Sequence, residues 1–189
     1  MKNISRIWIA IAMLLMLSAY VLPLWKITLE APQYPEGLHM DIGLFGITGN
    51  VSQINGLNHY IGMKHINPED FVEFKILPYV FGLIILTGVI VVISGNRKLL
   101  TGLFIMMIVC AMAGFIDFYL WEYNYGHNLD PHAAIRVEGM YYQPPLIGYK
   151  QLLNFLAGSF PATGGVLVGI AGVITAWVLF TEYRFYKKR

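Results

Sequence analysis

The side chains best suited to metal chemistry lie outside the apolar segments of the chain. Every histidine is found there, with the three methionines other than Met1 that fall outside those segments. They are His39, His59, His65, His127 and His132, and Met40, Met63 and Met140. Imidazole suits copper and thioether sulfur selects Cu(I), so a histidine and methionine set without cysteine indicates copper chemistry.

Five of these residues make up the candidate metal site: His59, Met63, His127, His132 and Met140. His59 and Met63 would share a face if NHYIGM is helical. His127 and His132 would converge across a turn at Pro131. The spacing matches no fixed ligand pattern of the zinc-finger kind. Ordinary hydrogen bonding of loop histidines to backbone or water therefore stays open as the alternative.

The elements that position these residues belong to a membrane protein. The chain is 57% hydrophobic and 13% charged, whereas a soluble domain carries about 25% charged residues. Four apolar windows are long enough to cross a hydrocarbon core of roughly 30 Å. They predict helices at about residues 7–25, 76–95, 99–121 and 155–180. Lys2 and Arg6 before the first window also fit a signal peptide, but its long apolar run and poor cleavage site favour a helix.

The distribution of Lys and Arg predicts the orientation, because positive charge near helix ends resists translocation. One side has eight such residues in short segments: Lys2, Arg6, Arg97, Lys98, Arg184, Lys187, Lys188 and Arg189. The other side has five, spread over long loops. Both termini are therefore predicted to be cytoplasmic. Since the bases serve as an orientation signal and no stacking platform accompanies them, nucleic acid is not an expected partner.

The two outer loops, at about residues 26–75 and 122–154, are expected to fold together into one small domain. Alternating apolar positions predict strands in KITLEA (26–31) and AAIRVEGMYY (133–142), with a weaker candidate in HMDIGLFGIT (39–48). Asn67 and Asp130, each followed by proline, fit helix caps. The predicted fold class is an all-α membrane protein, with four transmembrane helices and a small β-containing extracytoplasmic domain formed by loops 1 and 2.

The apolar segments themselves contain little that could do chemistry. Asp117 is the one ionisable residue at depth, and it lies close to the interface beside Glu122. Cys110 is the only cysteine, and we interpret it as a small buried apolar residue. Serines lack a nucleophile motif, so the sequence gives no basis for an enzyme.

Two further patterns concern packing. Gly164, Gly165, Gly169 and Gly172 allow close approach of helix backbones, which favours packing within the bundle over dimerisation. Two dipeptides recur with the same spacing: Leu24-Trp25 recurs as Leu120-Trp121, and Leu57-Asn58 recurs as Leu153-Asn154. Either an internal duplication or coincidence would account for this recurrence.

Three long phrases lie between about residues 22 and 155: LPLWKITLEAPQYPEGL, GLNHYIGM and DFYLWEYNYGHNLDPHAAIRVEGMYYQPPLIGYKQLLNF. They resemble a family of small bacterial four-span membrane proteins associated with gene clusters for nitrous-oxide reductase, a periplasmic copper enzyme of denitrification. The resemblance implies a multi-pass protein of the inner membrane, but it supplies no ligand residues.

Residues and resemblance together predict a non-enzymatic accessory protein. It would support maturation, through copper handling, or electron supply of a periplasmic copper enzyme. The expected partners are the lipid bilayer and a periplasmic or membrane protein. A structural or docking subunit that binds its partner through the outer loops without metal is the alternative. A weaker third hypothesis is a quinol-interacting subunit in which Asp117 and Glu122 accept protons.

Overall fold

The computed structural model describes residues 1–186, with backbone alone for the last two. Five helices and five strands lie in this range. The helices are α1 (Asn3–Leu17), α2 (Val51–Tyr60), α3 (Glu73–Ser94), α4 (Arg97–His127) and α5 (Thr163–Tyr186). The strands are β1 (Trp25–Ala31), β2 (Tyr34–Ile42), β3 (Ile47–Gly49), β4 (Gly148–Leu152) and β5 (Phe155–Pro161). The fold is therefore mostly helical with one small antiparallel sheet.

Within the described residues, four helices are long and apolar enough to cross a membrane: α1 with the turn that follows it, α3, α4 and α5. Helix α1 packs against α3 and α5, and α4 packs against the same two helices, which closes a four-helix bundle. Ile9, Ile84 and Val178 are fully buried between the helices. Large apolar side chains such as Leu14 and Val173 point outward. This distribution suggests a membrane protein whose outer surface contacts lipid.

The fourth apolar run corrects the sequence prediction. Its first part, Phe155–Pro161, is not helical but forms β5, and the helix begins only at Thr163. This strand pairs with β1 on one side and β4 on the other. A short apolar run fits a buried strand as well as a helix, and here central pairing in a sheet determines the outcome.

The sheet has the strand order β3-β2-β1-β5-β4. The predicted strand at 26–31 is confirmed as β1, and part of the weaker candidate forms the end of β2 and the start of β3. Ile27 of β1 lies opposite Met40 on one side and Ser159 on the other. Together with α2, the last turns of α4 and the connecting segments, the sheet forms a unit that we call the sheet domain (residues 25–72 and 118–161).

The strand predicted at 133–142 is wrong. This segment has no regular secondary structure, and Ile135 and Val137 are 46% and 47% exposed. Single backbone hydrogen bonds hold it, from Ile135 N to Tyr60 O and from Tyr142 N to Gly126 O. An alternating pattern specifies a strand only when one face is buried against a core, and that condition is not met here.

The predicted caps occur, but on short elements. The Asn67 side chain accepts a hydrogen bond from Glu69 N at the start of a 3-10 turn, and α3 begins separately at Glu73. Asp130 accepts one from His132 N at 2.8 Å within a turn. The backbone N of Asp130 also donates to Gly62 O, so the two loops fold together as predicted.

Opposite the sheet domain, the helix ends are joined by a buried carboxylate. Glu182 accepts hydrogen bonds from Ser5 Oγ at 2.6 Å, Lys2 N at 2.8 Å and Arg97 Nε at 2.9 Å. The N-terminal amine donates to Gly95 O at 2.9 Å. The amino terminus, the α3–α4 turn and the end of α5 therefore share one end of the bundle, while Lys187, Lys188 and Arg189 lie outside the described residues.

The glycines of α5 divide into two pairs. A Cβ on Gly164 or Gly165 would meet the backbone carbonyls of residues 22–24, so both glycines pack within the chain. Gly169 and Gly172 face open space. The internal duplication finds no support in the fold, because Leu57 lies in helix α2 whereas Leu153 lies in the turn between β4 and β5.

Candidate functional site

A partly open cavity of about 60 Å³ lies inside the sheet domain. Strands β1, β2 and β5 form one wall, α2 and the end of α4 form others, and the segment that includes Tyr142 and Pro144 contributes to the lining. Its lining is Ile27, Leu29, Met40, Ile54, Leu57, Asn58, Ile61, Met63, Ile66, Trp121, Glu122, Tyr125, Tyr142, Pro144, Leu152, Phe155 and Ala157. Most of this lining is aliphatic or aromatic, so its few polar groups define the site.

Glu122 is the only carboxylate in this lining. It projects from α4 and is 1% exposed. Among residues 1–186, neither of its oxygens has a hydrogen-bond partner. Burying an ionised carboxylate without a partner is strongly unfavourable, so this side chain calls for a proton or a cation beside it.

The length of α4 explains how a glutamate reaches this position. Its 31 residues span about 46 Å, well beyond a hydrocarbon core of roughly 30 Å. Its last turns therefore rise into the sheet domain. Gly126, one turn after Glu122, lies against the backbone of Gln143, and its carbonyl accepts from Tyr142 N at 3.0 Å. This contact holds Tyr142 over the cavity.

Two further buried polar groups face the same space. Asn58 of α2 is 6% exposed and Tyr142 is 2% exposed. Within the described chain, neither Asn58 Nδ2 nor Tyr142 Oη has a hydrogen-bond partner. Trp121 Nε1 is a further atom of the lining that is unpaired among the described residues. Buried polar atoms are normally paired, so four residues with unpaired atoms around one small cavity indicate a polar or ionic guest.

Two methionines complete the lining. Met40 lies in β2, with its Cα opposite Ile27 of β1, and is almost fully buried. Met63 follows α2, with its backbone N bonded to Asn58 O at 2.9 Å, and is half-buried. Thioether sulfur is soft and polarizable, which distinguishes this cavity from a purely aliphatic one.

The predicted pairing of His59 and Met63 on one helix face is wrong, because α2 ends at Tyr60. His59 is exposed, and its ring centroid lies 6.1 Å from that of His65. Met63 instead lines the cavity. The helix termination therefore sends the two side chains to different environments.

The remaining predicted ligands lie on the surface of the 123–142 region. The His127 ring is stacked between Tyr123 and Tyr141, with centroid distances of 3.9 and 4.5 Å. Its Nδ1 is 3.0 Å from Tyr123 O. His132 is exposed in the turn after Asp130, and Met140 is half-buried. Within residues 1–186, no three His, Cys, Asp or Glu side chains lie close enough to hold a metal ion together.

The two candidate proton acceptors, Asp117 and Glu122, lie in different environments. Asp117 lies exposed on α4, whereas Glu122 is buried in the sheet domain. Glu122 was predicted at the membrane edge, and its enclosure was missed. Its neighbours on the helix gave a usable signal, since Phe118 and Gly126 lie four residues away on the same face and Trp121 and Tyr125 flank it.

Comparison with known proteins adds no assignment: no protein-family model matches the chain, and a search of curated proteins finds no significant relative. The carboxylate and the two thioethers can hold one small cation. Asn58 Nδ2, unpaired in the described chain, is a hydrogen-bond donor, which suits a water beside them. No histidine or cysteine is present in this lining.

Proposed function

We propose that this protein is a non-enzymatic accessory protein of the bacterial inner membrane that supports the maturation of a periplasmic copper enzyme by handling copper. The observation that carries the proposal is the location of the candidate ligands. All five histidines belong to the sheet domain, together with Met40, Met63 and Met140. The described core of the helical bundle contains no histidine, and its methionines Met13, Met16 and Met107 are buried among apolar side chains. The bundle serves as an anchor and the sheet domain faces the periplasm, with both termini in the cytoplasm.

The resemblance to proteins of nitrous-oxide reductase gene clusters supplies the partner class. Maturation of a periplasmic copper enzyme would need copper on the outer side of the membrane. Imidazole suits copper, and thioether sulfur selects Cu(I). Electron supply to the same enzyme is the other form of the proposal. It would need a redox group held by the sheet domain or by a partner.

The test is deletion of the gene in a host that makes the copper enzyme, followed by purification of that enzyme. For copper handling, the enzyme should be copper-deficient, and the full-length gene on a plasmid should restore its metal content. For electron supply, the enzyme should be fully loaded with copper but inactive in cells and active with an artificial donor. A fully loaded enzyme that is also active in the deletion strain would contradict both forms.

A docking subunit without metal is the second candidate. It is favoured by a groove of about 580 Å³ on the 129–139 segment, and by the engagement of His127 in aromatic stacking. On this view, replacing His127 and His132 by Ala leaves the metal content of the purified protein unchanged and weakens its co-purification with the copper enzyme. Unchanged co-purification of the double variant with the copper enzyme would contradict the docking function.

A further inference from the structure

We propose that the cavity of the sheet domain is a Cu(I) site in which Met40 and Met63 donate thioether sulfur and Glu122 supplies the compensating charge. This inference rests on the proposed function and deepens it, because it names the site and the oxidation state. It also moves the site from the surface histidines to the interior of the sheet domain.

The buried charge of Glu122 favours a monovalent cation. Glu122 is 1% exposed and no group of the described chain hydrogen-bonds to its carboxylate. A monovalent cation in the cavity forms a neutral pair with this carboxylate. Pairing removes most of the cost of burying either charge alone. A dipositive ion would leave the cavity with an uncompensated charge, since Glu122 is its only acidic lining residue.

The softness of the available ligands favours copper over other metal ions. Calcium and magnesium require six or more oxygen ligands, and this lining is mostly aliphatic and aromatic. Zinc is held by imidazole, thiolate and carboxylate, and the lining has neither of the first two. Thioether sulfur selects Cu(I). Met40 and Met63 are the soft donors in the lining.

The size and construction of the cavity also fit a small guest. Its volume of about 60 Å³ exceeds the roughly 10–15 Å³ that one water-sized guest needs, so a bare ion fits. The three proposed groups come from β2, from the segment after α2 and from α4. The site therefore exists only when the sheet domain is assembled on the bundle.

The test is anaerobic titration of the full-length protein in detergent with Cu(I), against a chromogenic Cu(I) chelator. Wild type should bind one equivalent. Met40→Leu, Met63→Leu and Glu122→Gln should each lower the affinity by at least about tenfold, the size of effect usual for groups that hold or support a metal. The matched control is Met112→Leu, since Met112 is exposed on the membrane part of α4; it should bind as wild type does.

A second readout separates lost ligands from lost folding. Leucine has nearly the volume of methionine, and such exchanges usually cost less than about 1.5 kcal/mol. Ag(I), a redox-inert soft cation, should raise the melting temperature of wild type and Met112→Leu but not of Met40→Leu or Met63→Leu. X-ray absorption of the Cu(I)-loaded protein should show sulfur neighbours.

Three results would overturn the site. Equal affinity in all the variants would place bound copper elsewhere. Loss of copper only when His127 and His132 are both Ala would assign it to the surface, and the proposed function would survive. If the wild-type protein binds no Cu(I), the cavity is not a copper site. The proposed function would then be tested separately, by the copper content of the enzyme purified from the deletion strain.

Discussion

Replacing Gly126 by Ala should detach the segment that covers the cavity. A Cβ at this position would lie 2.7 Å from the Cβ of Gln143 and closer still to its Cα and N. Ordinary contact begins at 3.4 Å, so the 142–144 segment must move by at least about 0.7 Å, the difference between those two distances. The hydrogen bond from Tyr142 N to Gly126 O, now 3.0 Å, would weaken or break.

The magnitude follows from three terms. Overpacking of this kind costs about 1–3 kcal/mol, and the hydrogen bond contributes about 1 kcal/mol. Alanine is favoured over glycine in a helix by about 0.5–1 kcal/mol, which opposes the other two. The net expectation is a loss of about 2 kcal/mol, or a melting temperature lower by roughly 4–8 °C for a chain of this size.

The assay is thermal unfolding of purified protein in one detergent, followed by tryptophan fluorescence, with Gly114→Ala as the matched control. Gly114 lies on the same helix, and a Cβ there meets nothing within 4 Å. Helix propensity alone predicts that both variants are neutral or stabilised. If Gly126→Ala melts with or above Gly114→Ala, the close packing of the 142–144 segment on α4 is refuted.

Two further predictions concern the bundle. Glu182→Ala removes the buried acceptor of three hydrogen bonds and should lower the free energy of unfolding, measured by denaturant titration, by about 3 kcal/mol. The control, Glu36→Gln at an exposed position, should stay within about 0.5 kcal/mol of wild type. Equal stability of the two variants would contradict the inferred role of Glu182. Gly165→Ala would press a methyl group onto the Leu24 carbonyl and should lower the melting temperature by several degrees. The control, Gly169→Ala, should leave the melting temperature unchanged. Identical melting curves for the two variants would disprove the packing of α5 on the α1–β1 connection.

The sequence pattern predicts a strand correctly where its alternate residues all face the same buried core. In β1, Ile27 is buried in the sheet domain, and the alternation in KITLEA reports it directly. The same alternation at 133–142 misled, since Ile135 and Val137 have no sheet to cover them. Periodicity records which side chains could share a face, and only the tertiary fold provides the opposing surface.

The membrane helices were predictable because length and hydropathy are properties of a single segment. The start of the fourth was not, since Phe155–Pro161 is apolar for a different reason: it lies between β1 and β4 in the sheet. The extension of α4 beyond Trp121 was missed for a related cause. Its last turns are polar on one face, yet they pack against the sheet domain.

The candidate site was the least predictable feature. The residues that could bind a soft cation were recognised as types, and Met63 was among those named. The helix end at Tyr60 then separates it from His59, while Met40 and Glu122 approach it from distant parts of the chain. Convergence of residues from β2, from the segment after α2 and from α4 depends on long-range packing, which no local pattern encodes.

The central claim is that the sheet domain, with every histidine, faces the outside of the cytoplasmic membrane. Cys110 is the only cysteine, so a Cys110→Ser background permits single-cysteine labelling in intact spheroplasts with a membrane-impermeant maleimide. Ser52→Cys on α2 and Lys98→Cys at the opposite end of the bundle are both exposed positions. If the sheet domain faces the outside, residue 52 alone should be labelled, and residue 98 should react only after the membrane is disrupted. The reverse pattern would contradict this orientation.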